Sequence, residues 1–211
     1  MTGKAFSPAF RAELAELLRW RRDVRRFRTD PVDETVLARC LDAFRLAPSV
    51  GLSEPWRLVR VGSPAAREAA LTNFQAANAE ALSGYDGDRA ERYAGLKLSG
   101  MREAPVQLAV FCDDSAPKGA GLGARTMPEM RRYSVAGAVM QLWLMLRAEG
   151  LGLGWVSILD PDRLAADLGV DEGWRLVAYL CIGWPETDDC EPELEKAGWE
   201  QRAADVPVEW R

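Results

Sequence analysis

"RRDVRRFRTDPV", residues 21 to 32, sets Asp23 and Phe27 among five arginines and follows them with an Asp-Pro break. Three readings compete for this stretch. Cations at the end of a helix interact favourably with its dipole and need no ligand. Arg21, Arg22 and Arg25 are also spaced so that two or three guanidiniums can converge on one phosphate, bidentately and with permanent charge. In the third reading Asp23 is the working group and the arginines are its setting. Arg26 and Arg28 read as surface or ion-pair residues.

The rest of the chain narrows the choice. It has 27 Lys and Arg against 32 Asp and Glu in 211 residues, a net charge of -5, so the arginines are a local feature of an acidic protein. That balance argues against general nucleic-acid binding. No histidine is present, so acid-base work falls to carboxylates, hydroxyls, a cofactor or water. Cys40, Cys112, Cys181 and Cys190 are far apart and form no C-x-x-C pair, which speaks against a zinc or other metal site. Three of the four lie in apolar stretches and read as small core residues, in keeping with a reducing, cytoplasmic setting. No signal peptide and no apolar window of membrane-spanning length is visible, so a soluble protein without membrane contact is expected. The length fits one domain over 1-211, with a C-terminal arm from about residue 185.

The periodicity alternates helices and strands. Ser7-Pro8 starts a helix bearing Phe10, Leu14, Leu17 and Leu18, and Asp33 caps a second helix that Pro48 ends. "APSVGLSEPW" (47 to 56) reads as a loop, "WRLVRV" (56 to 61) as a strand, and Ser63-Pro64 as the start of a helix to about Leu82. After a turn at 83 to 88, a helix to about Met101 precedes the buried strand "APVQLAVFCDD" (104 to 114). Residues 113 to 132 are glycine-rich and irregular, suggesting a flexible lid. "YSVAGAVMQLWLMLRAE" (133 to 149) is apolar nearly all round and predicts a central helix covered on most sides, with a second subunit as one source of cover. Strands at 152 to 159 and 175 to 184 flank a short helix opened by Asp160-Pro161, and a polar tail follows. Helices interleaved with strands predict one sheet in a mixed domain.

Two phosphate motifs are excluded. "GAGLGA" (119 to 124) lies six residues beyond its strand and runs into Thr126-Met127-Pro128 where a helix should start, so it is no Rossmann fingerprint. No G-x-x-x-x-G-K-[ST] occurs.

R-x-x-V-R-x-F followed by proline and a helix resembles the opening of the FMN-dependent nitroreductase superfamily, and "APSVGLSEPW" resembles its second flavin-binding stretch. Typical members carry serine where this chain has Asp23. Together with "GMREAPVQLAVFCDD", "TMPEMRRYS", "LRAEGLGLGWVSIL" and "EPELEKAGW", the pattern resembles one branch, the 5,6-dimethylbenzimidazole synthases, over about residues 19 to 202. Glu54 departs from the glutamine the superfamily usually has there, and "VAGAVMQ" departs from the usual helix.

The resemblance implies an α+β sandwich with a central mixed, mainly antiparallel sheet flanked by helices, in an intertwined homodimer. It implies that reduced FMN is the substrate, fragmented with dioxygen to 5,6-dimethylbenzimidazole, the lower ligand of cobalamin, and D-erythrose 4-phosphate. A flavin reductase, or another source of reduced FMN, would be a partner, and no metal would be needed. Arg21, Arg22, Asp23, Val24, Arg25, Ser49, Leu98, Ser157 and Arg202 carry over as flavin contacts. Asp23 and Ser157 carry over as the catalytic pair. An enzyme that keeps its flavin and takes hydride from NAD(P)H to reduce nitro compounds or quinones is the main alternative, and a non-catalytic flavin-binding protein is another. Asp23 also reads as an arginine counterion, Ser157 as an ordinary strand serine, Arg202 as a surface arginine and Leu98 as core.

Overall fold

Ser7 Oγ accepts the main-chain N–H of Phe10 and Pro8 takes the first helical position, so α1 runs Pro8–Trp20. Asp33 caps α2 (Glu34–Leu41) by accepting from Thr35 and Val36, and α3 (Ala43–Leu46) follows. A single 3-10 turn, Val50–Leu52, leads to β1 (Trp56–Arg60), α4 (Pro64–Ser83) and α5 (Gly87–Gly95). Then come β2 (Val106–Asp113), α6 (Met130–Ala148), β3 (Gly152–Val156), α7 (Pro161–Asp167), β4 (Trp174–Gly183) and α8 (Glu193–Lys196). This computed structural model describes residues 3–211; Met1 and Thr2, the start of the expected domain, lie outside the described residues.

Among the described residues the four strands form one antiparallel sheet in the order β1-β2-β4-β3. Every residue of β2 is buried, because both faces of the sheet are covered. Val106, Leu108, Val110 and Cys112 of β2 and Ala178, Leu180 and Ile182 of β4 pack with α2, α3 and α6 on one side. Ala109, Phe111, Tyr179 and Cys181 point to the other side, where α4 and α7 supply Ala70, Leu71 and Leu164. Strand alternation thus divides one apolar run between two cores, giving the α+β sandwich. Three of the cysteines are buried in it and Cys190 is exposed.

Several expectations shift. The helix expected to reach about Met101 ends at Gly95, where Leu96 turns extended with ψ 134°, and residues 97–100 are irregular. β3 ends at Val156 rather than 159, so Ser157 lies just past it. α6 begins three residues early and buries one face, while Tyr133, Met140 and Met145 stay exposed on the chain taken alone. α1 has no buried residue although Phe10, Leu14 and Leu18 sit at helical spacing. The glycine-rich segment does not stand free as a lid: Gly119, Leu122 and Gly123 lie against Val50 and Gly51. No helix among the described residues is long and apolar enough to cross a membrane.

Candidate active site

Phe27 anchors the arginine segment. Its ring is 1% exposed, and a Cβ added at Gly100 would lie 2.4 Å from it. Main-chain pairing with Pro185 holds Phe27 from the other direction. Upstream, Asp23 pairs in parallel with Leu153 of β3, and Val24 N–H donates to Leu153 O at 3.0 Å. The approach is so close that a Cβ at Gly154 would sit 2.2 Å from Val24 O, and one at Gly152 would meet the Val24 side chain at 2.8 Å. The two glycines of "GLGW" are therefore what let residues 22–25 lie flat along β3.

That seam fixes Asp23. Its Oδ1 accepts the Trp155 main-chain N–H at 2.9 Å and its Oδ2 accepts Arg25 Nε at 2.8 Å. Arg25, whose side chain is 13% exposed, also donates from Nη1 to Lys97 O at 3.2 Å. Arg25 is thus committed first to Asp23 and to the segment that carries Leu98.

Arg21, Arg22 and Arg202 have no carboxylate within ion-pair distance among the described residues. All three line a pocket of about 150 Å³ with Asp23, Arg25, Pro192, Glu193 and Leu194. Arg21 lies 4.7 Å from the centre of the Trp143 ring, and Trp143 Nε1–H donates to Arg22 O at 3.2 Å. Arg22 Nε donates to Cys190 O, while Arg202 N–H donates to Glu195 Oε1 at 2.7 Å. Burial pulls the Arg21 guanidinium below its ordinary value, with Asp23 opposing and Arg202 adding to the fall. Burial, then Arg202 and Arg21, do the same to Arg22. Three arginines thus share one small pocket with Asp23 and Glu193 in its wall, and Asp23 and Glu195 only partly offset their charge.

The other expected residues are distributed around this centre. Ser157 is exposed, two residues beyond the Trp155 N–H that holds Asp23. Leu98 is half-buried in a separate pocket of about 310 Å³ between α4 and α5, with Leu71, Phe74 and Tyr93. Ser49 lines neither pocket; its Oγ accepts the Glu54 N–H at 3.0 Å. Trp143, Trp155, Lys97 and Cys190 escaped the sequence reading because they act through ring faces or main-chain groups, which side-chain identity does not disclose. Arg26 and Arg28 are exposed and pair with Glu193 and Asp30.

Comparison with known proteins places these features. The profile of the nitroreductase family matches residues 18–184. A 5,6-dimethylbenzimidazole synthase of Rhodospirillum rubrum is 54% identical over 201 residues, covering 95% of each chain. A 5,6-dimethylbenzimidazole synthase of Rhodobacter capsulatus is 50% identical over 205 residues, covering 97% of this chain and 98% of its own. Among solved structures, iodotyrosine deiodinase bound to FMN and 3-iodo-L-tyrosine superposes with a TM-score of 0.72 at 23% identity, covering 94% of this chain and 98% of that one. A nitroreductase family protein of Streptococcus pneumoniae superposes at 0.60 with 19% identity, covering 94% and 100%. The chain is an enzyme of the nitroreductase family and belongs, within it, with the 5,6-dimethylbenzimidazole synthases.

Proposed function

We propose that this enzyme fragments reduced FMN with dioxygen, releasing 5,6-dimethylbenzimidazole, D-erythrose 4-phosphate and the remaining four-carbon pyrimidine portion of the flavin, and so supplies the lower ligand of cobalamin. The observation that carries the reading is Asp23: an acid at the place where typical nitroreductases have serine, with both carboxylate oxygens fixed beside an anion pocket. Reduced FMN itself supplies the ring that is broken up, and dioxygen is the oxidant.

The residues divide the work. Arg21, Arg22 and Arg202 hold the phosphate, and Val24 contributes main chain where the segment crosses β3. The unpaired arginines fit a doubly charged phosphate, which makes their grouping favourable once it is bound. Asp23 takes up and returns protons at the reacting ring, as carbon-carbon and carbon-nitrogen cleavage requires. Arg25 keeps that carboxylate oriented while its remaining donor is free for the ligand. Ser157, exposed at the end of β3, donates a hydrogen bond to the flavin's polar edge or to the reacting oxygen. Ser49 and Leu98 complete the enclosure.

We further propose a homodimer with flavin at the subunit interface. The exposed apolar face of α6, the uncovered stripe of α1 and the exposed Val206, Val208 and Trp210 of the C-terminal arm support it. Ser49 does not line the arginine pocket of its own chain, which fits a role in the partner's site. The setting is the cytoplasm, with a flavin reductase delivering reduced FMN; neither a metal, a nucleic acid nor a membrane has a part. The whole chain acts as one flavin-binding domain whose arm, from about residue 185, delivers Arg202.

The test is product analysis by mass spectrometry after incubation with FMN, NADH, a flavin reductase and oxygen. Dimethylbenzimidazole and erythrose 4-phosphate in equal amounts are expected. Intact flavin with multiple-turnover nitro or quinone reduction would establish the NAD(P)H-dependent alternative. Intact flavin without turnover would leave a binding protein.

A further inference from the structure

The loop after Ser49 is built against its own preferences. Gly51, Leu52 and Glu54 all have positive φ, at 57°, 55° and 44°, although only the first lacks a Cβ. Non-glycine residues resist this left-handed region, and each such residue costs on the order of 1 kcal/mol or more. Ser53 Oγ is buried without a hydrogen-bond partner in the same turn. Something outside the turn must hold it.

Two contacts do so. The segment 119–123 presses on the loop backbone: a Cβ at Gly119 would lie 2.5 Å from Gly51 O, and one at Gly51 would lie 2.7 Å from Leu122 O. Beside that contact, Lys118 Nζ forms an ion pair with Glu54 Oε2. The left-handed backbone of Glu54 directs its N–H at Ser49 Oγ at 3.0 Å. With its oxygen already accepting, the Ser49 hydroxyl hydrogen is left to donate elsewhere.

We infer that Lys118 is a positioning residue for the flavin, the counterion that lets this chain carry glutamate at position 54 in a loop that a bound flavin covers. The inference rests on the reading above that the 47–56 loop touches FMN. Glu54 stands where the superfamily usually has neutral glutamine, so its charge requires compensation here. A carboxylate without a counterion is costly to cover with a ligand, and the cost grows as binding excludes water. The pair is half-exposed, with Lys118 and Glu54 side chains 53% and 35% accessible, so on its own it adds little to folding stability. Its effect is therefore concentrated in ligand binding.

The experiment is fluorescence titration of oxidised FMN, whose emission binding quenches, on the full-length protein and three variants. Lys118→Met is expected to weaken FMN binding about tenfold, with a melting temperature within roughly 2 °C of the parent. Glu54→Gln should bind within about threefold of the parent, and the Lys118→Met/Glu54→Gln double variant should return to that same range. Rescue by removing the opposite charge is what a merely structural lysine would not show. The inference is overturned if Lys118→Met binds FMN as the parent does, if its loss of affinity tracks a loss of melting temperature, or if the double variant is no better than Lys118→Met. Because FMN affinity is the readout, a parent protein that binds FMN without fragmenting it would defeat the proposed reaction while leaving this comparison intact.

Discussion

Asp23 and Trp155 are joined by a 2.9 Å hydrogen bond in which the Trp155 main-chain N–H donates to Oδ1. A strand edge, rather than another side chain, thus orients the carboxylate, and Arg25 takes its other oxygen. Substituting Asp23→Asn keeps an oxygen for Trp155 and removes the proposed acid-base function. Dimethylbenzimidazole formation should fall by roughly 100-fold or more, while FMN affinity changes by less than about tenfold. Product quantification beside fluorescence titration separates the two. Equal loss of both would reduce Asp23 to a binding group.

The proposed phosphate pocket predicts a discrimination between ligands. Arg202→Ala should weaken FMN binding roughly tenfold, and half-buried Arg21→Ala more, since hydrogen bonds to charged groups are worth about 1.5–3 kcal/mol before solvent screening. Riboflavin, which lacks the phosphate, should bind both variants and the parent alike. Calorimetric titration with the two flavins checks this, and a parallel loss for riboflavin would place the arginines elsewhere on the ligand.

Gly154→Ala should damage the site through the backbone. The added methyl would occupy space 2.2 Å from Val24 O, so the segment carrying Asp23 must move off β3. A stability loss of about 1–3 kcal/mol by urea unfolding is expected, together with loss of FMN binding. Unchanged flavin affinity would show that the seam does not set the geometry of the arginine pocket.

Between the sheet and α4 lies a buried polar pair: Tyr179 O–H donates to Gln107 Oε1 at 2.6 Å, and Gln107 Nε2 donates to Met101 O at 2.6 Å. Tyr179→Phe leaves Gln107 Oε1 without its donor in the core. The expected cost is about 1–3 kcal/mol in chemical unfolding, with no change in flavin affinity.

The thiols give an alkaline signature. Burial pushes Cys112 and Cys181 up to about 12 each, from an ordinary value of 9.0. Below the ordinary value both folded and unfolded chains keep these protons, and the stabilisation is fully present. From about pH 9 to 12 the unfolded chain loses them first, so stability should decline across that window. Urea midpoints measured from pH 8 upward test the slope, and Cys181→Ala and Cys112→Ala should each flatten it. In the native state at neutral pH, an alkylating reagent should label Cys190 alone.

Helix starts were legible because their chemistry is local: Ser7, Asp33, Ser63 and Asp160 each cap the helix that the sequence predicts at that point. Strand cores were legible for the same reason, as continuous apolar runs. Ends were less so. The helix before Met101 stops at Gly95, a local stop signal that the reading ran past, and the segment beyond it is then held by Lys97 O accepting Arg25. The arginine segment showed what kinds of groups were present but not their division of labour. That Arg25 serves Asp23 while Arg21, Arg22 and Arg202 share a pocket depends on how residues 22–25 cross β3. The family resemblance nominated Ser49, Leu98, Ser157 and Arg202, and the fold brings only Arg202 into the pocket with the arginines.

α1 ends at Trp20 and its C-cap is Arg21. The helix contacts α6 and half-buries Leu17 and Trp20, but leaves its stripe of Phe10, Leu14 and Leu18 exposed. A second surface meeting that stripe would also bear on Arg21, the first of the proposed phosphate contacts. On the proposed dimer, assembly and flavin capture are linked: dilution of the protein should erode FMN affinity, and saturating FMN should strengthen self-association by the same factor.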